Sequence, residues 1–447
     1  MNLNNEACIK HLQGMVRIPT VSNPDPEKMD YSLFFKLHSY LEESYPLVHK
    51  HLKKEVIGRA GLLYHWEGTG KSEKLPLLLM AHQDVVPEGD HDKWLHGPYS
   101  GDIADGRLWG RGTTDSKCNI MAHMEAIEHL LSEGFQPDYD LYLAYGYNEE
   151  VMGGKEPAAK MIAEELQRRG VELGCVIDEC GGCGTGKSYG IDGNVCEIIV
   201  GEKGYADFEF SKTDKGGHSC QPGISSALGA VARAAVALEE NPLPYRLTEV
   251  VKKQYEAIAP YMKEEKAELY KDMEANWDKL VEATKEDGRL RAMLHTTTAV
   301  TMAEGSAQAN VLPERASIII NCRPLEGDTL ESLLEYFKSV VADDIEVRLI
   351  KGNEAPPVSP TDSDSYRLLQ SISEEKYPGI VTIPAYLLGG TDSRYFTIIC
   401  KNVYRFGSFF GNEKWGPAHS VNECIPCENL VEGPEFFTKF IKRYGNC

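Results

Sequence analysis

No stretch of this chain approaches the roughly 18 consecutive apolar residues that a membrane-spanning helix needs. The opening MNLNNEACIKHLQG has no basic segment followed by an apolar one, so no secretory leader is expected. Positive charge is scarce: 47 Lys and Arg against 68 Asp and Glu leave a net charge of −21. That balance argues against nucleic acid or an anionic membrane as a partner. Cysteine is thin and scattered, twelve in 447 residues, which excludes a disulfide scaffold and fits a reduced, cytoplasmic protein. One C-x-x-C, Cys180 to Cys183, has no second pair beside it, and a redox role for it is a distant alternative. Internal repeats and low-complexity tracts are absent as well.

What is present is the composition of an ordinary folded protein, 42% hydrophobic and 26% charged, in a chain longer than one core usually holds. LPLLLMAHQD is a short apolar run of the buried-strand kind, and it ends in His82 and Asp84. Open α/β sheets keep their sites at that edge. An imidazole followed two residues on by a carboxylate suits a metal ligand and the group that orients it, once a turn brings both to one side. GRGTTDSK then sets Asp115 between a glycine-rich turn and a helix. DYDLYLAYGYNEE reads as a strand ending at Glu149 and Glu150, and LGCVIDE as another ending at Asp178. Helices fall between these strands, which is the rhythm of a largely parallel sheet.

Past Asn194 the pattern becomes antiparallel, and strands and helices then alternate to about residue 356. The expected fold is therefore α/β, a largely parallel-sheet domain (1–195 and 357–447) interrupted by an inserted α+β lid domain (196–356). Residues 247–291, rich in charge, read as a solvated amphipathic helical hairpin.

His82, Asp115, Glu150, Asp178 and His419 are the candidate metal ligands, an N/O set without thiolate that suits zinc, cobalt or manganese. With Asp115 shared, His82 and Asp178 would hold one ion, and Glu150 and His419 the other. Glu149, beside a ligand at a strand end, is the candidate general base. His218, after a glycine pair in KGGHSCQP, lies in the lid and would reach the site by closure or from a partner subunit. Arg394, in GGTDSRYF, suits a bidentate pair with a substrate carboxylate. His91, His96, His123 and His129 are read as structural.

Together MAHQDVVP, GRGTTDSK, YNEE, IDE, GGHS, GGTDSR and HSVNE resemble, in order, the di-zinc exopeptidase and amidohydrolase family. That family holds aminoacylase, carboxypeptidase S, carnosinase-type dipeptidases and succinyl-diaminopimelate desuccinylase. The match spans nearly the whole chain and looks closest to the carboxypeptidase S and N-acyl-amino-acid hydrolase branch. The resemblance implies two divalent metals, zinc first, a catalytic domain with an inserted lid, and a homodimer through that lid. It also implies that Asp84 orients His82, that His218 stabilises the oxyanion, and that Asn310 and Arg394 hold substrate. The expected substrate is a small peptide or N-acyl amino acid. A dipeptidase needing a free amino terminus and a biosynthetic deacylase are the rivals, and a non-catalytic binder is the remote one.

Overall fold

The computed structural model describes residues 3–151, 154–428 and 430–447. Its spine is a mixed sheet in the order Lys53–Ile57, Gly61–Trp66, Leu141–Gly146, Leu77–His82, Cys175–Asp178, Val403–Arg405, Asn194–Glu202 and Val381–Leu387. Gly182–Thr185 pairs off this path on Asn194–Glu202. The centre is parallel: Leu77–His82 runs alongside both Leu141–Gly146 and Cys175–Asp178, and Cys175–Asp178 alongside Val403–Arg405.

The run LLLMA before His82 is apolar on every residue because both faces of its strand are covered. Leu77, Leu79 and Ala81 share a cluster with Ile120, Met124 and Ile127 of the helix Lys117–Ser132. Leu78 and Met80 face the other way, into a cluster with Ile162 and Leu166 of the helix Ala158–Arg168 and with Phe396. His82 ends that strand between two layers of helix.

The smaller unit is a four-stranded antiparallel sheet in the order Thr297–Glu304, Arg315–Arg323, Tyr205–Thr213 and Glu346–Asn353. The helices Ala227–Glu240 and Leu330–Val340 pack on it around Phe208, Phe210, Ile320 and Phe337. The chain crosses between the units at Gly204, whose N–H donates to Pro324 O at 2.9 Å. A Cβ there would meet Asn353 O at 2.5 Å, so the crossing strands approach closely only because residue 204 is glycine.

Packing carries the large domain past the expected boundary at 195/196. Asn194–Glu202 is an inner strand of the large sheet, so the lid begins after Glu202. The segment 247–291 is also not a solvated hairpin. It forms the short helices Glu249–Ile258, Glu264–Tyr270, Trp277–Ala283 and Gly288–Leu294. Val251, Ile258, Leu280, Leu290 and Met293 are fully buried in the core cluster of the large domain. Charge on the outer face hid an apolar inner face that has the large domain, not the lid, as its partner.

Candidate metal centre

Five segments converge beyond the ends of the parallel strands. His82 is buried, and its Nδ1 lies 2.9 Å from the carbonyl oxygen of Asp84, which leaves Nε2 facing the cluster. That Nε2 is 2.8 Å from Asp115 Oδ1 and 3.3 Å from Glu179 Oε1. The other oxygen of Asp115 is 3.0 Å from His419 Nε2, which also lies 2.9 Å from Glu150 Oε2. Asp115 thus stands between two imidazoles. Ligand atoms of His82, Asp115 and Glu150 fall within 4.8 Å of one another, as do those of His82, Glu149 and Glu179.

Local structure explains the convergence. The fully buried Asp84 accepts from Glu149 N at 3.1 Å and Glu150 N at 3.2 Å, so it orients the YNEE turn as well as His82. Glu423 is also fully buried and clamps the turn that delivers Asp115. It accepts from Gly112 N at 3.0 Å, Thr114 N at 2.9 Å and Thr114 Oγ1 at 2.9 Å, and pairs with Arg111 Nη1 at 2.7 Å. His419 sits at φ +59°, a left-handed conformation unusual for a residue with a Cβ. Reading the sequence alone missed Glu423; its place in HSVNE, four residues after His419, carries no signal of a distant turn.

Asp178 is the ligand candidate that the structure moves. Its Oδ1 accepts from Glu179 N at 2.9 Å and its Oδ2 from Ser393 N at 2.9 Å, so its carboxylate faces the 391–394 turn. The neighbouring Glu179 reaches His82 instead. Alternation along Cys175–Asp178 is the reason: Val176 faces the cluster containing Phe396, Ile177 the opposite one. Asp178 follows Val176, and Glu179 follows Ile177.

The electrostatics are those of an anion-rich pocket. Burial pushes Glu149 well above the usual carboxylate range, against the pull of His82 and with Glu179 and Asp392 adding. Burial likewise lifts Glu179 to about 7 and Asp392 to about 7. Burial would raise Asp115 too, but His419 and His82 bond to it and hold it below its ordinary value. His419 is raised to about 10 by its contacts with Asp115 and Glu150. Four carboxylates share this space with two imidazoles, and Asp115 and Glu150 are bridged only through an imidazole. Such a donor set fits two divalent cations, one beside His82, Asp115 and Glu179 and one beside Asp115, Glu150 and His419.

Arg394 lies in the turn of helix Asp392–Ile398, and its guanidinium rests 5.4 Å from the Tyr395 ring centroid. Its Nε is buried without a hydrogen-bond partner, and Glu202, Asp392 and Glu149 are among the charges acting on it. Glu202 Oε2 holds the same turn through Thr391 N at 3.0 Å and Arg405 Nε at 3.0 Å. His218 and Asn310 come together elsewhere, on a small ribbon of the lid. His218 pairs with Val311, and Ser219 N donates to Asn310 O at 3.1 Å. Both are exposed, and the hydrogen bond found for the His218 ring is from Cys220 N to Nδ1 at 3.2 Å.

A parallel-sheet domain carrying this imidazole–carboxylate centre, with a lid inserted in it, is a metal-dependent peptidase or amidohydrolase. The chain belongs to the peptidase family M20/M25/M40, whose model matches residues 78–443. Carboxypeptidase S of Saccharomyces cerevisiae is 32% identical to it, covering 97% of this chain and 84% of that protein. Probable carboxypeptidase S-like 2 of Dictyostelium discoideum is 33% identical over 92% of this chain and 79% of that one. The N-fatty-acyl-amino acid synthase/hydrolase PM20D1 of Mus musculus is 30% identical over 96% and 86%. Among solved structures, the M20 family metallo-carboxypeptidase Sso-CP2 from Sulfolobus solfataricus superposes with a TM-score of 0.72 at 18% identity, covering 98% of this chain and 99% of that one. Human carnosine dipeptidase 1 gives 0.68 at 16% identity, over 99% and 97%. These two likenesses speak for the fold. Among the described residues, no helix is long and apolar enough to cross a membrane.

Proposed function

We propose that the chain hydrolyses an amide bond next to a free α-carboxylate, as a carboxypeptidase or N-acyl-amino-acid amidohydrolase. The observation that carries this reading is Arg394, a guanidinium with a buried, unpartnered Nε that lies within the electrostatic reach of Glu149. A substrate carboxylate would satisfy it and set the neighbouring amide over the cluster. His82, Asp115 and Glu179 would hold one cation and Asp115, Glu150 and His419 the other, with zinc the first choice and cobalt or manganese next. When bound, the ions supply Lewis-acid polarisation and charge stabilisation at the amide carbonyl. Glu149 takes the proton of the attacking water and passes it to the leaving amine nitrogen.

The test compares amino-acid release from an N-blocked dipeptide and from its free-amine counterpart, with added zinc or cobalt and with chelator. Faster, chelator-sensitive cleavage of the blocked substrate is expected. Faster cleavage of the free dipeptide would overturn the reading in favour of a dipeptidase.

Closure of the lid would bring His218 and Asn310 to the substrate, His218 as the oxyanion donor. Because Nδ1 accepts from Cys220 N, the neutral ring would carry its proton on Nε2, toward solvent. His218→Ala should then lower kcat by roughly 10²–10³-fold. A rise in KM alone would make it a binding residue. The lid also exposes Leu228, Val236, Met302 and Val311 at 43–55% each, and Thr297–Glu304, which carries Met302, is an edge strand of its sheet. A homodimer through that face would cover them. A reducing compartment suits twelve unbridged thiols.

A further inference from the structure

The C-x-x-C of the sequence is left unused by this reaction, and the structure pairs one of its cysteines differently. Cys183, on the strand Gly182–Thr185, stands directly opposite Cys196 on the antiparallel strand Asn194–Glu202. On its other flank, the carbonyl of Cys183 accepts from Gly411 N at 2.8 Å. The N–H and C=O of a strand residue point the same way, so Cys183 turns both away from Cys196. The pair is therefore of the non-hydrogen-bonded kind, with Cα atoms about 4.5 Å apart and side chains close. That separation lies within the roughly 4.4–6.8 Å that a disulfide spans.

Cys183 and Cys196 act on each other's ionisation, and the Ser373 hydroxyl acts on both. Their surroundings are unequal. The Cys196 thiol holds Cys183 below its ordinary value despite burial, and Ser373 and the Lys376 charge assist. Cys196 is pushed well above. Access is unequal as well. Cys183 lines two adjoining cavities of about 350 and 370 Å³, which share Gly181, Cys183, Gly411 and Trp415. The first is also lined by Asp115 and Glu179. Cys196 is fully buried behind it.

We propose that Cys183 and Cys196 are a dithiol modification site, oxidised to a cross-strand disulfide by small aliphatic disulfides that enter through the cavity shared with the metal centre. The Cys183 thiolate attacks one sulfur of the reagent RSSR, forms a mixed disulfide and expels one RS⁻. Cys196 then attacks the Cys183 sulfur and expels the second. The protein loses two electrons, RSSR gains them, and the two thiol protons leave on two RSH. Cys183, which lines the cavities and is held low, is the attacker, and Cys196 behind it the resolver, the arrangement in which exchange runs to an internal disulfide.

The experiment treats the full chain under native conditions with cystamine, alkylates the remaining thiols and maps peptides without reduction. Expected are the loss of two of the twelve thiols and a peptide cross-linked between Cys183 and Cys196. In Cys196→Ser the cystamine adduct should accumulate on Cys183. A Cys180–Cys183 cross-link in the wild-type chain would overturn the proposal. So would Cys183 and Cys196 both remaining free while exposed Cys180 or Cys220 is modified. The readout is thiol chemistry, so it stands or falls separately from the assigned hydrolase activity.

Discussion

Glutamine in place of Glu149 should lower kcat by roughly 10²–10⁴-fold, the contribution of one positioned proton carrier, and leave the expected two metal ions per chain bound. The Glu149 backbone N–H is held by Asp84 Oδ1 at 3.1 Å, and its side chain gathers with His82 and Glu179. The amide keeps the shape and the surrounding contacts but cannot accept the water's proton. Burial matters here too: an unpaired, desolvated carboxylate is a stronger base toward a proton than a solvated one. Steady-state rates beside metal content per chain make the check. A near-normal rate removes Glu149 from proton transfer, and loss of a metal makes it a ligand.

The second large effect separates two adjacent acids. Glu179→Gln should bind one metal per chain instead of two and lose turnover with it, because its oxygen lies 3.3 Å from His82 Nε2. Asp178→Asn should keep both metals. Its cost should fall on substrate binding, roughly 10–100-fold in KM, the usual size for a residue that orients another. The route is the hydrogen bond from Ser393 N to Asp178 Oδ2, which fixes the turn carrying Arg394. If Asp178→Asn loses a metal and Glu179→Gln does not, the assignment reverts to Asp178.

The contrast between these neighbours shows how far a motif can be read. The segment VIDEC announces an acid at a strand end, yet which acid turns inward depends on the parity of the strand. Parity is visible only once Val176 and Ile177 have partners on opposite faces. The helical segment after Leu247 taught the same lesson at larger scale. Its charged face was plain, but Val251, Leu280 and Met293 required knowing that the large domain lies against them. Glu423 was illegible for a further reason: its four contacts are to Arg111, Gly112 and Thr114, some three hundred residues away.

Composition and local pattern by themselves determined the class of fold, because short apolar runs ending in His or acid, with helices between, have few stable arrangements other than a covered parallel sheet. They also determined which residue types could form the centre, since the motifs carry their own chemistry along the chain. Tertiary structure alone decided the pairings: Asp115 between two imidazoles, Glu179 rather than Asp178 beside His82, Asn194–Glu202 within the large sheet, and Cys183 opposite Cys196. Each of these is a choice of partner across long sequence separation or across one strand face. Such choices are made by packing and register, which no local stretch of sequence contains.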